Sequence, residues 1–285
     1  MHRAVRSMAV IAAAVSFVAT SCNAPDNIAK FCSSAVATLG TSNGLLDDMK
    51  ASCVRESQTR ESFGSFVISD PIPAACIDVG NQAEGLKAAS KVLSSYFTAL
   101  NDLASFGSTK AGEEATGLVN RASSSRTNLN AASQKALASI AGLLIRLGTS
   151  GYQQKQLADD IVNTHADIKV AIDGLAEAVG VAYLHQLQDE EAKTATRYKE
   201  FLLGHQTAAD AILVLDSRWQ SDRSSFAAKQ NAALSYQTAL NTIAKGNEDL
   251  AAHARSLKAK ELPGLLSPYA AELESLVPAI QKAFQ

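Results

Sequence analysis

The sequence predicts an all-α protein, an elongated antiparallel helical bundle organised around two very long helices. Three observations carry that prediction. Apolar residues recur at steps of three, four and seven over long stretches, which places them on one stripe of a helix. Only 6% of residues are aromatic, and alternating β-branched runs between tight turns are nearly absent. No proline occurs between Pro73 and Pro263, so nothing breaks a helix by that route across the middle of the chain.

The first long helix is expected over Asp159–Gln206. Ile161, Ile168, Ile172, Leu175, Val179 and Ala182 follow at steps of seven, four, three, four and three. The stripe then slips toward Leu184, Leu187, Tyr198 and Phe201, the pattern of a stutter in a heptad repeat. Gly174 and Gly180 each weaken this helix by about 1 kcal/mol relative to alanine and mark a kink or a close helix crossing. Such a helix spans about 70 Å, and its stripe needs partners along the whole length. The antiparallel partner is expected over Asp216–Lys260, with His205 to Ala209 as the bend. Its stripe runs through Trp219, Phe226, Ala233, Tyr236, Leu240, Ile243, Leu250 and Leu257.

The remaining elements follow in chain order. Residues 1–21 read as a signal peptide, 22–78 as an N-terminal helical segment with a cysteine-containing loop, and 79–285 as the bundle. Asp26 to Gln58 is expected to be helical, with a turn at Gly40 to Gly44. From Glu56 to Pro73 the periodicity fails and Ser, Arg, Gly and Pro accumulate, which reads as a long loop. Within it, Ser65 to Ser69 is the only short strand candidate. Helices are expected over Val79–Ser105, Ala111–Ala122 and Leu129–Leu147, the last unusually apolar. Leu262-Pro263-Gly264 breaks the second long helix, and Ser267-Pro268 starts a final short one, with a bend at Pro278.

The N-terminus carries the strongest functional signal. Arg3 and Arg6 precede an apolar run from Met8 to Ala19 and then Thr20-Ser21-Cys22, the layout of an export signal. The run is too short for a comfortable membrane span. Ala19-Thr20-Ser21-Cys22 resembles the lipobox of bacterial lipoproteins, with Ala19 where leucine is usual. The resemblance implies that Cys22 is lipidated and becomes the first residue of the mature chain. With Asn23 rather than aspartate after it, the sorting rule of that class implies the outer membrane. Ordinary cleavage near the same bond, leaving a soluble periplasmic protein, is the alternative.

Export permits disulfides. Cys32, Cys53 and Cys76 remain beside Cys22, so at most one bridge forms within the monomer. Cys53–Cys76 would close the proline-containing loop and stabilise by about 3 kcal/mol on the loop-entropy argument. Cys32 is then a small buried core residue. Cys32–Cys53 is the alternative if Gly40 to Gly44 forms a true hairpin.

Composition excludes some function classes. The formal net charge is −2, and loss of Arg3 and Arg6 with the signal takes it to −4. No basic cluster suggests nucleic acid as a partner. Phosphate-binding glycine loops and zinc-protease motifs are absent from the sequence. His165, His185 and His205 are spaced by twenty, which turns successive imidazoles to opposite sides of a helix about 30 Å apart. The pairs His185/Asp189 and Asp249/His253 would hold a metal only if the two long helices brought them face to face. The surface reading is favoured, and no metal or cofactor is expected. The acidic doublets Asp47-Asp48, Glu113-Glu114, Asp159-Asp160 and Glu190-Glu191 read as solvated faces. Trp219 and Tyr236 read as core, and Gly151 to Gln156 as an exposed helix start.

The expectation is a non-enzymatic envelope scaffold, adaptor or inhibitor, held to the membrane through Cys22 and acting on an envelope protein. A small-ligand or metal-binding periplasmic bundle and an envelope hydrolase are the alternatives. Intact mass of the mature protein tests the anchor. An acylated N-terminal Cys22 adds the mass of its acyl groups, and a mature chain without that mass rejects lipidation.

Overall fold

The computed structural model describes residues 23–61, 72–104, 112–124, 129–147, 154–204, 209–255 and 262–285. The signal peptide, Cys22, the strand candidate Ser65 to Ser69, and His205 lie outside the described residues. Every described element is a helix. They are α1 (Asn23–Gly40), α2 (Ser42–Glu61), α3 (Ala74–Ala104), α4 (Gly112–Ser124), α5 (Ala131–Leu147), α6 (Gln154–Glu177), α7 (Leu184–Gly204), α8 (Ala209–His253) and α9 (Leu262–Lys282). A π-helical turn, Ala178–Tyr183, joins α6 to α7 without a break. The first long helix of the sequence is therefore α6, the π turn and α7 in one line.

That π turn is the physical form of the stripe's slip. One extra residue in the turn rotates everything after it, so the stripe that leaves Val179 resumes at Tyr183 and Leu187, all fully buried. Both glycines prove to be close crossings. A Cβ on Gly174 would run into the Ser133 side chain of α5, and one on Gly180 into Gln237 of α8.

α1 and α2 form one rod with a joint at Thr41. The Thr41 hydroxyl donates to the Thr38 carbonyl and the Ser42 hydroxyl to the Leu39 carbonyl, both at 2.7 Å, satisfying the end of α1. This rod runs antiparallel to α8: Phe31 packs on Gly246 at one end and Asp48 bonds Lys229 farther along. α6 and α7 run antiparallel to α8 on another side, with Gly180 against Gln237, Glu191 bonded to Gln230 and Tyr198 to Asp222. The remaining helices close the core around these seams.

One hydrophobic core runs through all the layers and includes residues of the segment 22–78. Its centre is aromatic. Phe31 meets Phe97 edge-on at 5.8 Å, and Tyr96 meets Phe97 at 5.0 Å. The Tyr96 hydroxyl donates to Asn247, a buried polar side chain given a partner.

The boundaries differ from expectation in four of the helices. α2 extends to Glu61 rather than fading near Gln58, because its last turns have α7 to pack on. α3 starts at Ala74, its first turn tied to the Pro73 carbonyl by the amides of Cys76 and Ile77. α9 starts at Leu262 and runs straight through Pro268 and Pro278. Each proline removes one helical hydrogen bond, but Leu266, Ala270, Leu273 and Ile280 are all fully buried, and that burial outweighs the loss. α8 likewise covers Ala209–His253 rather than Asp216–Lys260, with Asp210 in its first turn where the helix dipole favours an acid.

Two glycines make opposite predictions. A Cβ on Gly246 would sit 2.5 Å from the Phe31 ring, so Gly246→Ala should destabilise by about 1–3 kcal/mol despite better helix propensity. Gly117 in α4 has open space around its Cβ position, and Gly117→Ala should stabilise by up to about 1 kcal/mol. Urea unfolding midpoints of the two variants, moving in opposite directions, check both.

Candidate functional site

Three regions stand out: a buried ionic network, an apolar tip and a polar groove. The network lies where α2 crosses α7 and α8. Asp48, Ser52 and Arg55 recur at steps of four and three on α2, which puts them on one face. Asp48 accepts from Arg55 at 3.1 and 3.3 Å, from Lys229 of α8 at 2.7 Å and from the Tyr183 hydroxyl at 2.7 Å. Glu190 of α7, 2% exposed, accepts from Ser52 at 2.7 Å and from Arg55 at 2.5 and 3.0 Å. Lys193 and Glu56 form a further pair one turn on. Asp48 and Glu190 balance Arg55 and Lys229, so the charge of the network sums to zero.

Burial by itself would push Asp48 up. Hydrogen bonds and charge from Lys229 and Arg55 outweigh it and hold the carboxyl below its ordinary value. Burial, then the Asp48 charge, pushes the Tyr183 phenol up. Burial works against the charged form of Arg55, but Glu190 and Asp48 raise it on balance. These shifts carry all three groups away from neutral pH. The arrangement locks three helices together rather than poising a proton for transfer.

The α7–α8 hairpin continues past this network. The buried residues of α8 begin only at Phe226, and those of α7 are Leu187 and Glu190. Near the end of the hairpin, Tyr198 packs on Trp219 at 5.7 Å and donates to Asp222 at 2.8 Å. A groove of about 470 Å³ lies between the helices there, lined by Tyr198, Leu202, Leu203, Ile212 and Trp219 among others.

The third region is a groove of about 850 Å³ at the α1–α2 joint, bordered by α3 and α4. Ser42 and Ser90 line it, their hydroxyl oxygens 3.1 Å apart, and both donate to the Leu39 carbonyl. The Tyr236 hydroxyl faces these serines from within the core and completes no hydrogen bond among the described residues. Burial pushes its pKa to about 12, with the serines opposing.

The predicted site residues are placed as follows. Cys53 and Cys76 form a disulfide that ties α2 to the first turn of α3. Cys32 is free and fully buried, and burial pushes its thiol up. The pairs His185/Asp189 and Asp249/His253 do not meet. The antiparallel register sets His185 opposite the middle of α8, about 20 Å from its Asp249–His253 end. Asp249 instead accepts from Tyr269 at 2.5 Å, and His253 Nδ1 lies 2.8 Å from the Asp249 carbonyl. Among the described residues, no group of three or more His, Cys, Asp or Glu is placed to hold a metal.

Two acidic doublets are corrected. Glu190 is a buried and Asp48 a largely buried network member, while their neighbours Asp47 and Glu191 pair with Lys87 and Gln230. Tyr236 is core as expected, but Trp219 is a half-exposed residue of the hairpin end. Asp159 and Asp160 pair with Arg255 and Arg146. The one sequence signal for the network was the Asp48–Ser52–Arg55 face; its partners lie more than 130 positions away in the chain. No protein family, curated protein or solved structure matches the chain.

The Asp48 shift makes a signed prediction. A carboxylate with a lowered folded pKa contributes stability that is present above the unfolded pKa, about 4, and is lost as pH falls through the folded value. Asp48→Asn should lower stability at neutral pH by about 2 kcal/mol and flatten the acid limb of the stability–pH curve. Urea unfolding of both proteins at a series of pH values from neutral into the acid range reads both effects.

Proposed function

We propose that the protein is exported, acylated at Cys22, and acts as a non-enzymatic scaffold, adaptor or inhibitor of the cell envelope through protein–protein contacts. The observation that carries this reading is the rod-like separation of its two ends. α1 begins one residue after Cys22, and the α7–α8 hairpin projects at the opposite end. An anchor at one end and a long solvent-facing helix toward the other suit a protein that holds something at a distance from the membrane. The flank of α8 before Phe226 offers Ser221, Arg223, Ser224 and Ser225 to solvent. Asn23 favours an outer-membrane anchor in this reading.

A second reading rests on the groove at the α1–α2 joint. Its volume suits a small polar ligand, its floor presents two serines, and the buried Tyr236 hydroxyl behind them lacks a completed bond. In this reading the bundle is a periplasmic ligand carrier.

Photocrosslinking in cells separates the two. A photoreactive residue at Ser221 or Ser225 should capture one recurring envelope protein, and Arg223→Glu should abolish that capture. The same probe at Gly117 on α4 should not capture it. Absence of any specific product from α8, with the protein folded and exported, would reject the protein-contact reading in favour of the groove.

A further inference from the structure

The groove at the α1–α2 joint is much longer than it is wide. It follows α3 from Asp78 to Ser94, a rise of about 24 Å at about 1.5 Å per residue. Its volume of about 850 Å³, spread over that length, leaves a cross-section of about 35 Å², single-file width for one extended chain. The floor is made of small and apolar residues. Gly85 and Ala88 of α3 lie between Leu39 and Leu118, and all four are buried. Small side chains there let a ligand lie close to the helix.

Hydrogen-bonding capacity along the walls is lopsided. The Ser42 and Ser90 hydroxyls each carry one proton, and both give it to the Leu39 carbonyl, at 2.7 and 3.0 Å. Tyr236 faces them from the core side, so what they turn to the groove is acceptor oxygen. The Asp78 and Glu84 carboxylates only accept. The lysine donors are already engaged: Lys87 with Asp47 at 2.5 Å and Glu84 at 2.7 Å, and Lys91 with Glu114 at 2.7 Å. Burial opposes the Lys87 ammonium, but Asp47 and Glu84 raise its pKa on balance. The walls are therefore rich in acceptors and match a ligand rich in donors. Charge is nearly even, with Asp47, Asp78, Glu84 and Glu114 against Lys87, Lys91 and Arg121. An anionic ligand would have to displace the acids that hold the lysines, and a cationic one would meet three bases.

We propose, on the ligand-binding reading of this groove, that it is a site for an uncharged linear oligosaccharide. Such a ligand carries hydroxyl donors on every edge and no charge. Neighbouring hydroxyls match the paired oxygens of Asp78 and Glu84, and the carboxamides of Asn43 and Asn81, exposed along the same groove, both donate and accept. The C–H faces of the rings pack on Gly85 and Ala88. A peptide of the same width offers one backbone donor and one acceptor per residue, a poorer match to acceptor-rich walls.

The test uses the full chain carrying Cys22→Ser, so that no acyl group is added, and reads amide shifts by NMR and affinity by titration calorimetry. The uncharged probes are tetramers of N-acetylglucosamine and of α-1,4- and β-1,4-linked glucose. The tetramers of glucosamine and galacturonate supply a cation and an anion, and a blocked tetraserine supplies an uncharged peptide. At least one uncharged tetrasaccharide should bind and shift the amides of Gly85, Ala88 and Ser94. It should bind on the order of 10-fold more tightly than its monosaccharide, because each further ring adds hydrogen bonds. Asn43→Ala with Asn81→Ala should weaken binding on the order of 10-fold. Gly40→Tyr, at a lining position where a Cβ meets nothing within 4 Å, should block it. All three positions are exposed, so the far-UV circular dichroism and melting temperature should not change. Raised salt should leave the affinity within about twofold. Folded protein that binds no uncharged tetrasaccharide would overturn the proposal. So would tighter binding of the cationic tetramer, the anionic tetramer or the peptide, or binding that survives both variants. A library of small polar fragments, titrated alongside, separates the ligand class from the groove itself. Fragments that shift the groove amides where saccharides do not would sink the saccharide and leave the ligand-binding reading standing; no shifts from either would sink both.

Discussion

Helix α8 is longer than anything available to cover it, and much of the architecture follows from that constraint. A helix of 45 residues is stable in water only where other elements bury its stripe. Toward its C-terminal end, α1, α6 and α9 do so, and the stripe there is Tyr236, Leu240, Ile243 and Leu250, with its buried amide, Asn247, bonded to Tyr96. In the middle, α2 and α7 take over. Before Phe226 no residue of α8 is buried, and its hairpin partner α7 lies alongside it. The bundle therefore ends gradually, with a two-helix extension rather than a flat face.

The ionic network sits where apolar cover gives out. Asp48, Arg55, Glu190, Lys229 and Tyr183 come from three different helices and the π turn, and every carboxylate oxygen among them has a donor. A hydrophobic contact at that place would tolerate sliding of α2 along α7; directional hydrogen bonds do not. The Cys53–Cys76 bridge, two residues from Arg55, fixes the same stretch of α2 to α3. The π turn serves the same joint by bringing Tyr183 round to Asp48. What keeps the long hairpin at a defined angle is this combination of cross-link, charge and helix irregularity.

The two ends of the molecule then differ in chemistry as well as position. One end gathers the start of α1, the end of α8 and the start of α9 around an aromatic core. The other presents leucine, valine and phenylalanine to solvent above a ring of tyrosine, tryptophan and balanced charge. Nothing in the interior resembles a poised acid, base or nucleophile among the described residues: Asp48 is held low, and Tyr183 and Cys32 are held high. Among the described residues, the Tyr236 hydroxyl behind the Ser42–Ser90 pair is a buried polar atom with no completed hydrogen bond.

The sequence by itself determined the all-helical class, the two long antiparallel helices and the favoured disulfide. Each is a local matter: periodicity at 3.6 residues, absence of proline, and cysteines flanking the proline-containing stretch. It also marked Gly174 and Gly180 as a kink or a close helix crossing and the slip after Ala182 as a stutter, without naming the partners. Only the tertiary structure decided that Gly174 admits Ser133, that Gly180 admits Gln237, and that the slip is a π turn. It alone separated the buried Asp48 and Glu190 from their solvated neighbours Asp47 and Glu191. The reason is range. A carboxylate on a helix reads the same in sequence whether it faces water or an arginine on a helix more than 130 residues away, and the difference is set by register between helices. The exposed tip was hidden for the same reason. Leu213, Val214 and Trp219 continue an apolar pattern that elsewhere means core, and only the packing leaves Leu213 and Val214 exposed and Trp219 half-exposed.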